Sequence, residues 1–261
     1  MRRTATPNRR MSRRNLKLTV AYDGSNFVGW QVQPSGRTVQ GVILEALERM
    51  HGERVVVHAA GRTDSGVHAD GQVINFVTTI DSIDSAAFHI ALNSYLPADV
   101  KALDSREVSE QFHARYSAVR RVYRYYYSMS SVLHPRQRSF AVRLRHSPRI
   151  SRLNRLAAPL VGSHDFSTFT IPRESSRSRV RHVMSAGFFP LHGQLVFEIS
   201  ANGFLWRMVR SITGTLVALD KEGAEPEEVR RRLAACDRQE AGPSAPSSGL
   251  VLHCVEYPDE P

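Results

Sequence analysis

One loop concentrates the side chains able to do chemistry. Residues 61–71 read Gly-Arg-Thr-Asp-Ser-Gly-Val-His-Ala-Asp-Gly, placing the carboxylate of Asp64 between two hydroxyls, Thr63 and Ser65, that can orient it. The glycines at 61, 66 and 71 let the backbone turn sharply and come close to a ligand. Three readings fit these residues. A carboxylate held this way can act as a nucleophile or a general base. Asp64, His68 and Asp70 also have a spacing that could hold a divalent metal, although hydrogen-bonded polar loops often carry such trios. The third reading is structural: an Asx-turn in a long hairpin connection, with His68 as a hydrogen-bonding histidine. No Gly-rich phosphate-binding loop is present. Cys236 and Cys254 lie far apart in no metal spacing, so neither a zinc site nor a disulfide framework is expected.

Flanking elements must hold the two ends of that loop. Leu16–Tyr22 alternates as a strand, and Thr38 caps a helix over Val39–Met50 with Val42, Ile43, Ala46, Leu47 and Met50 inward. Arg54–Ala59 and Gln72–Thr78 read as the strands on either side of the loop. A helix from Asp84 to Tyr95 ends before Pro97, and Val100–Val108 is a fourth strand. The second half repeats this order. Val122–Met129 is a strand, Ile150–Val161 a helix with Gly162 past its end, and Val180–Phe189 with Gln194–Ser200 a hairpin. Phe204–Leu219 sets Leu205, Met208, Val209, Ile212 and Leu216 on one helical stripe. Pro226–Ala235 opens with Pro and two glutamates, as a helix start prefers, and Leu250–Val255 closes the chain as a strand. The expected fold class is α+β, two ferredoxin-like (βαββαβ) halves with antiparallel sheets and a central cleft. The division expected is a disordered basic arm over 1–14, an N-terminal half over 15–110 carrying the loop, and a C-terminal half over 111–261.

Charge points to the partner. The 261 residues carry a net charge of +10, and 32 of the 35 basic residues are Arg, whose planar fork pairs phosphate oxygens or stacks on a base. Between Gln111 and His164 there are eleven Arg and no Asp or Glu. A solvated surface normally mixes signs, so a stretch this one-sided suggests a polyanion; a plain basic surface is the blander reading. Tyr116, Tyr123, Tyr125, Tyr126 and Tyr127 interleave with these arginines, which suits unstacked bases better than a smooth duplex. RNA is the favoured partner, with a metal-dependent RNA hydrolase or a non-catalytic RNA-binding protein as alternatives to an RNA-modifying enzyme. No run is long enough to span a membrane and no apolar signal core follows the basic start, so a cytoplasmic setting is expected.

The loop resembles the catalytic signature of the A family of tRNA pseudouridine synthases, and further motifs follow in the same order. Tyr22-Asp23-Gly24, Phe27-Val28-Gly29-Trp30-Gln31 and Thr38-Val39-Gln40 resemble its opening. Leu92-Asn93 with Leu96-Pro97 and Asp99, Phe112-His113-Ala114-Arg115 with Ser117-Ala118, and Tyr123-Arg124-Tyr125 come next. Gly162 to His164-Asp165-Phe166, Asn202-Gly203-Phe204-Leu205 with Met208-Val209-Arg210, and Ala245-Pro246 with Gly249-Leu250 complete the series. The resemblance covers about residues 16–258. It implies the pseudouridine synthase fold and isomerisation of uridine to pseudouridine at positions 38, 39 and 40 in the anticodon stem-loop of tRNA, without a cofactor, by a homodimer. It makes Asp64 the catalytic carboxylate, attacking the anomeric carbon or taking a proton from its neighbour. It pairs Asp64 with Arg210, for which a solvent-facing arginine is the alternative. It has Arg62 fill the gap left by a flipped nucleotide, where a plain phosphate contact is the alternative. It packs Tyr123 against the target base, with a role in removing the proton from its fifth carbon; a strand tyrosine pairing across the sheet is the alternative. Trp30 and Trp206 are expected to pack.

Overall fold

Alternation of apolar residues builds most of this molecule around one sheet. The computed structural model describes residues 13–172, 174 and 176–258. Most of the expected basic arm lies outside them, and Arg14, placed at the arm's end, instead opens the first strand. The elements in order are β1 (Arg14–Tyr22), α1 (Val39–His51), β2 (His58–Ala59), β3 (His68–Thr78), α2 (Phe88–Asn93), β4 (Val100–Val108) and β5 (Arg120–Ser128). Then come β6 (Val142–Arg143), α3 (Ile150–Ala157), β7 (Gly162–Asp165), β8 (Val180–Leu191), β9 (Gln194–Ala201), α4 (Met208–Glu222), α5 (Pro226–Ala235) and β10 (Leu250–Glu256).

The expected α+β class holds, and the sheets of the two halves run together. Strand order is β4-β1-β3-β10-β5-β9-β8-β7. The last strand makes the seam: β10 pairs β5 antiparallel and β3 parallel, the latter through Val251 opposite His68 and Leu252 opposite Ala69. Thus the C-terminal strand lies against the residues that end the Asp64 loop. Apolar faces of β1 (Leu16, Leu18, Val20), α1 (Ile43, Leu47), β9 (Phe197, Ile199) and α4 (Ile212, Leu216) belong to one core cluster. Alternate residues of β3 face away from it. Val73 joins Ala60, Phe112 and Ala114 in a smaller cluster, so the chain joining the halves packs on the sheet's other side.

Local physics accounts for where the elements depart from expectation. Thr38 caps α1 as anticipated, its side chain accepting from Gly41 N, and Gly52 closes the helix in a left-handed conformation. In the Arg54–Ala59 segment only His58 and Ala59 pair with β3; Val57 is buried while Val56 is exposed, so the alternation reflects packing without a full ladder. The helix begun at Ile150 tightens to a 3-10 turn over Ala158–Leu160, because Pro159 has no N–H to continue the α pattern. The stripe starting at Phe204 becomes helical only at Met208, since Arg207 stands at φ +61. Trp30 is buried as expected, whereas Trp206 is 47% exposed.

Candidate active site

The loop carrying Asp64 joins β2 to β3 and is shaped by backbone hydrogen bonds. Val67 N donates to Asp64 O at 3.1 Å, closing a turn whose third residue, Gly66, has φ +74, a left-handed conformation that suits glycine. A second segment backs the turn: Trp30 N donates to Thr63 O at 3.0 Å, and Gly66 N to Phe27 O at 3.3 Å. Gly29, at φ +113, makes this approach feasible, because a Cβ there would lie 2.9 Å from Thr63 O and 3.3 Å from the Asp64 carbonyl carbon. Thr63 is anchored through its hydroxyl to the Tyr22 phenol at 2.8 Å, and Gln72 Nε2 donates to Gly61 O at 2.9 Å. The backbone around the carboxylate is therefore held from several sides before any ligand arrives.

Across the seam, Asp64 meets Arg210 of α4. The guanidinium Nη1 lies 3.3 Å from Asp64 Oδ2, with side chains 16% and 18% exposed. Arg210 is itself fixed: Nε donates to Ala245 O at 2.8 Å, and Ala245 N donates back to Arg210 O at 2.9 Å. The loop before β10 and the start of α4 thus hold the cation that faces the carboxylate.

Tyr123 comes from β5, 8% exposed, its ring edge-on to Phe204 at 5.0 Å between centroids. Burial pushes its phenol above the ordinary tyrosine range, and the nearby Tyr22 and the Asp64 carboxylate add to the rise. At neutral pH it is a neutral phenol, suited to packing on an uncharged base and to donating a hydrogen bond. Tyr125 and Tyr127, on the same face of the strand, are buried and stand 4.7 Å apart. Arg62 is exposed beside the buried Thr63.

The trio read as a metal site does not converge. His68 Nδ1 accepts from Gly24 N at 3.0 Å and faces Asp23 Oδ1 at 3.2 Å, while its ring lies 4.4 Å from that of Phe140. Asp70 turns to His253 Nδ1 at 3.3 Å, and Asp64 to Arg210. His68 and Asp70 are engaged by different partners, and the turn at Gly66 redirects Asp64, so spacing in sequence did not become proximity. Among the described residues no group of three His, Cys, Asp or Glu side chains could hold a metal ion. Burial holds His68 below the ordinary histidine range, against the opposing charge of Asp23.

Sequence reasoning did not single out Arg121, and the fold makes it central. Its side chain is buried and donates only to carbonyl oxygens: Nη1 to Ala118 at 3.0 Å and Asn202 at 2.7 Å, Nη2 to Ala60 at 3.1 Å and Arg115 at 2.6 Å. One guanidinium therefore ties the entry of the Asp64 loop to the inter-half segment and to the end of β9. Strand periodicity held the signal, since 121, 123, 125 and 127 share one face.

The acid-free arginine stretch finds some acids elsewhere in the chain. Arg120 pairs with Glu256, Arg124 with Glu198 and Arg155 with Glu225. Arg115, Arg136, Arg138, Arg143, Arg145 and Arg149 are exposed and form no ion pair among the described residues. These six remain available to a polyanion.

Comparison with known proteins follows the same lines. A family model described as tRNA pseudouridine synthase matches residues 18–117 and 156–258. A Moorella thermoacetica protein named tRNA pseudouridine synthase A is 45% identical over 244 residues, 93% of this chain and 99% of the relative. One of the same name from Treponema denticola is 41% identical over 254 residues, 95% of each chain. Another from Bacillus pumilus is 41% identical over 244 residues, 93% of this chain and 98% of the relative.

Proposed function

Because this chain belongs to the tRNA pseudouridine synthase family, we propose that Asp64 is the carboxylate with which it isomerises uridine to pseudouridine in tRNA. The single observation that carries the assignment is the Asp64–Arg210 pair at 3.3 Å, formed across the seam between the halves. The reaction breaks the bond from the anomeric carbon to N1, joins that carbon to C5, releases the C5 proton and leaves a proton on N1, so its bond count and oxidation level are unchanged. What it requires is an oriented carboxylate at the ribose, either adding to the anomeric carbon or removing a proton from the neighbouring one.

The other residues divide the remaining tasks. Arg210 sets the carboxylate's direction and supplies the local positive charge. Tyr123, kept neutral by burial, stacks on the extruded uracil, a contact worth about 1–3 kcal/mol; the phenolate needed for a strong base is scarce at neutral pH. Arg62, exposed at the loop's edge, stacks in the gap left behind, offsetting part of the few kcal/mol that extrusion costs. The six free arginines, Arg115 and Arg136 to Arg149, attract the phosphate backbone. Uridines 38, 39 and 40 of the anticodon stem-loop are the proposed targets, and a cytoplasmic homodimer the proposed form. Residues 15–110 supply the carboxylate and 111–261 its cation, so neither half works alone. Among the described residues no helix is long and apolar enough to cross a membrane.

The test uses tRNA labelled with tritium on C5 of uridine. Wild-type protein releases the label as the carbon glycoside forms, whereas Asp64→Asn binds the same tRNA and releases none. Release by Asp64→Asn at the wild-type rate refutes the assignment. A non-catalytic RNA-binding protein would release none in either form.

A further inference from the structure

Beside the Asp64 loop, three rings form a ladder that the reaction does not use. His58 and His113 have centroids 4.4 Å apart, and His113 and Tyr116 likewise 4.4 Å, each pair tilted by 37°. The outermost ring, Tyr116, is 78% exposed, more than any other Phe, Tyr or Trp among the described residues. An exposed aromatic ring of this kind is a surface on which a nucleobase can stack.

The ladder is rigid. His113 N donates to the Ser117 hydroxyl at 3.0 Å and Ser117 N donates back to His113 O at 2.9 Å. Arg115 N donates to His113 Nδ1 at 3.1 Å, which fixes the imidazole plane. Burial, His58 and Arg115 together hold His113 below the ordinary histidine range, so at neutral pH it is an uncharged stacking partner. The Arg115 guanidinium is exposed and lies over the Tyr116 ring, 5.8 Å from its centroid, a cation close to any nucleotide that stacks there.

The ladder is also indexed to the catalytic loop. His58 belongs to β2, which runs directly into the loop, and Arg121 Nη2 donates to both Ala60 O at 3.1 Å and Arg115 O at 2.6 Å. Any base seated on Tyr116 is thereby held at a fixed offset from Asp64.

We propose that Tyr116, backed by His113 and His58 and flanked by Arg115, is a second nucleobase-binding site that stacks an unpaired base of the RNA substrate outside the catalytic pocket. This rests on the tRNA reading above, and goes beyond it by assigning a contact that sets substrate affinity rather than chemistry.

The experiment compares wild type, Tyr116→Ala and Tyr116→Phe at one ionic strength. It measures Kd for tRNA, Kd for a blunt, fully paired RNA duplex, and steady-state tritium release. Loss of one stacked base corresponds to roughly 5- to 150-fold in affinity. Tyr116→Ala should raise Kd and KM for tRNA by that factor and leave kcat and duplex affinity within about twofold. Tyr116→Phe, which keeps the ring, should match wild type. The proposal is overturned if Tyr116→Ala binds tRNA as wild type does, if it loses duplex affinity equally, or if Tyr116→Phe is as impaired as Tyr116→Ala. Absence of tritium release from wild type would refute the activity instead, while the two binding constants would still decide the ladder.

Discussion

The Asp64–Arg210 contact can be tested as a coupling between two side chains, independently of turnover. The perturbation is a double-mutant cycle of Asp64→Asn, Arg210→Met and the double variant. Removing Arg210 takes two things away: the cation 3.3 Å from Asp64 Oδ2 and the donor 2.8 Å from Ala245 O. With both side chains less than a fifth exposed, breaking the pair from one side costs about 3–5 kcal/mol at the buried limit. The remaining exposure trims this, and the lost carbonyl bond adds about 1.5–3 kcal/mol. Arg210→Met should therefore lose about 3–5 kcal/mol of unfolding free energy, a large part of the roughly 5–15 kcal/mol typical of a folded chain. The carbonyl contribution is common to both Arg210 variants and cancels in the cycle. What remains is the pair itself, expected as a coupling of about 1–3 kcal/mol. Urea unfolding at constant pH and salt measures all four corners, and single-turnover tritium release supplies the kinetic counterpart. In that assay Arg210→Met should fall by about 100-fold or more, since a misdirected catalytic group costs that much. Additive stability losses, or an Arg210→Met rate within about threefold of wild type, would refute the reasoning.

Three further outcomes follow from the same geometry. Gly29→Ala would place a methyl 2.9 Å from Thr63 O at φ +113; it should cost about 2–3 kcal/mol in urea unfolding and slow single-turnover release about 10- to 100-fold, and unchanged values for both would show that the loop does not rest on this contact. Because burial lowers the folded-state pKa of His68, its unfolded form binds the proton more readily. Its contribution is full above the unfolded value of about 6.5 and is lost as pH falls toward the lower folded value. Thermal scans from pH 7.5 to 5 should show a drop in Tm that is smaller in His68→Gln; an equal drop in both would exclude His68 as a source. Finally, with five or six phosphate contacts from the free arginines, tRNA affinity should fall by about 100-fold or more between 50 and 200 mM salt, and Arg143→Gln with Arg145→Gln should flatten that slope in a salt-titrated binding assay.

Much of the fold was legible because local rules and tertiary packing agree. Period-two alternation placed β1, strand and turn residues placed β4, β5 and the β8–β9 hairpin, and Thr38 opens α1 by capping chemistry that needs no distant partner. Boundaries slipped where one residue overruled the pattern, as at Pro159 and at Arg207 in its left-handed conformation. Of the candidate site, the loop with Asp64 announced itself through glycines and flanking hydroxyls, while Arg210, Arg62 and Tyr123 were reached only through ordered motifs that resemble a family. Arg121 escaped notice because its buried position depends on carbonyls from residues 60, 115, 118 and 202, which no spacing rule connects.

By itself, the sequence determined which side chains could do chemistry, the rhythm of strands and helices, and the excess of guanidinium groups that favours RNA. Those are properties of residue type and near-neighbour order, which bonding along the chain fixes. The tertiary structure decided which groups meet. It sent His68 to Gly24 and Asp70 to His253, neutralised Arg120, Arg124 and Arg155 with acids from far along the chain, and brought Arg210 to Asp64 from 146 positions away. Pairing across that distance depends on where β10 closes the sheet, and only the folded chain contains that contact.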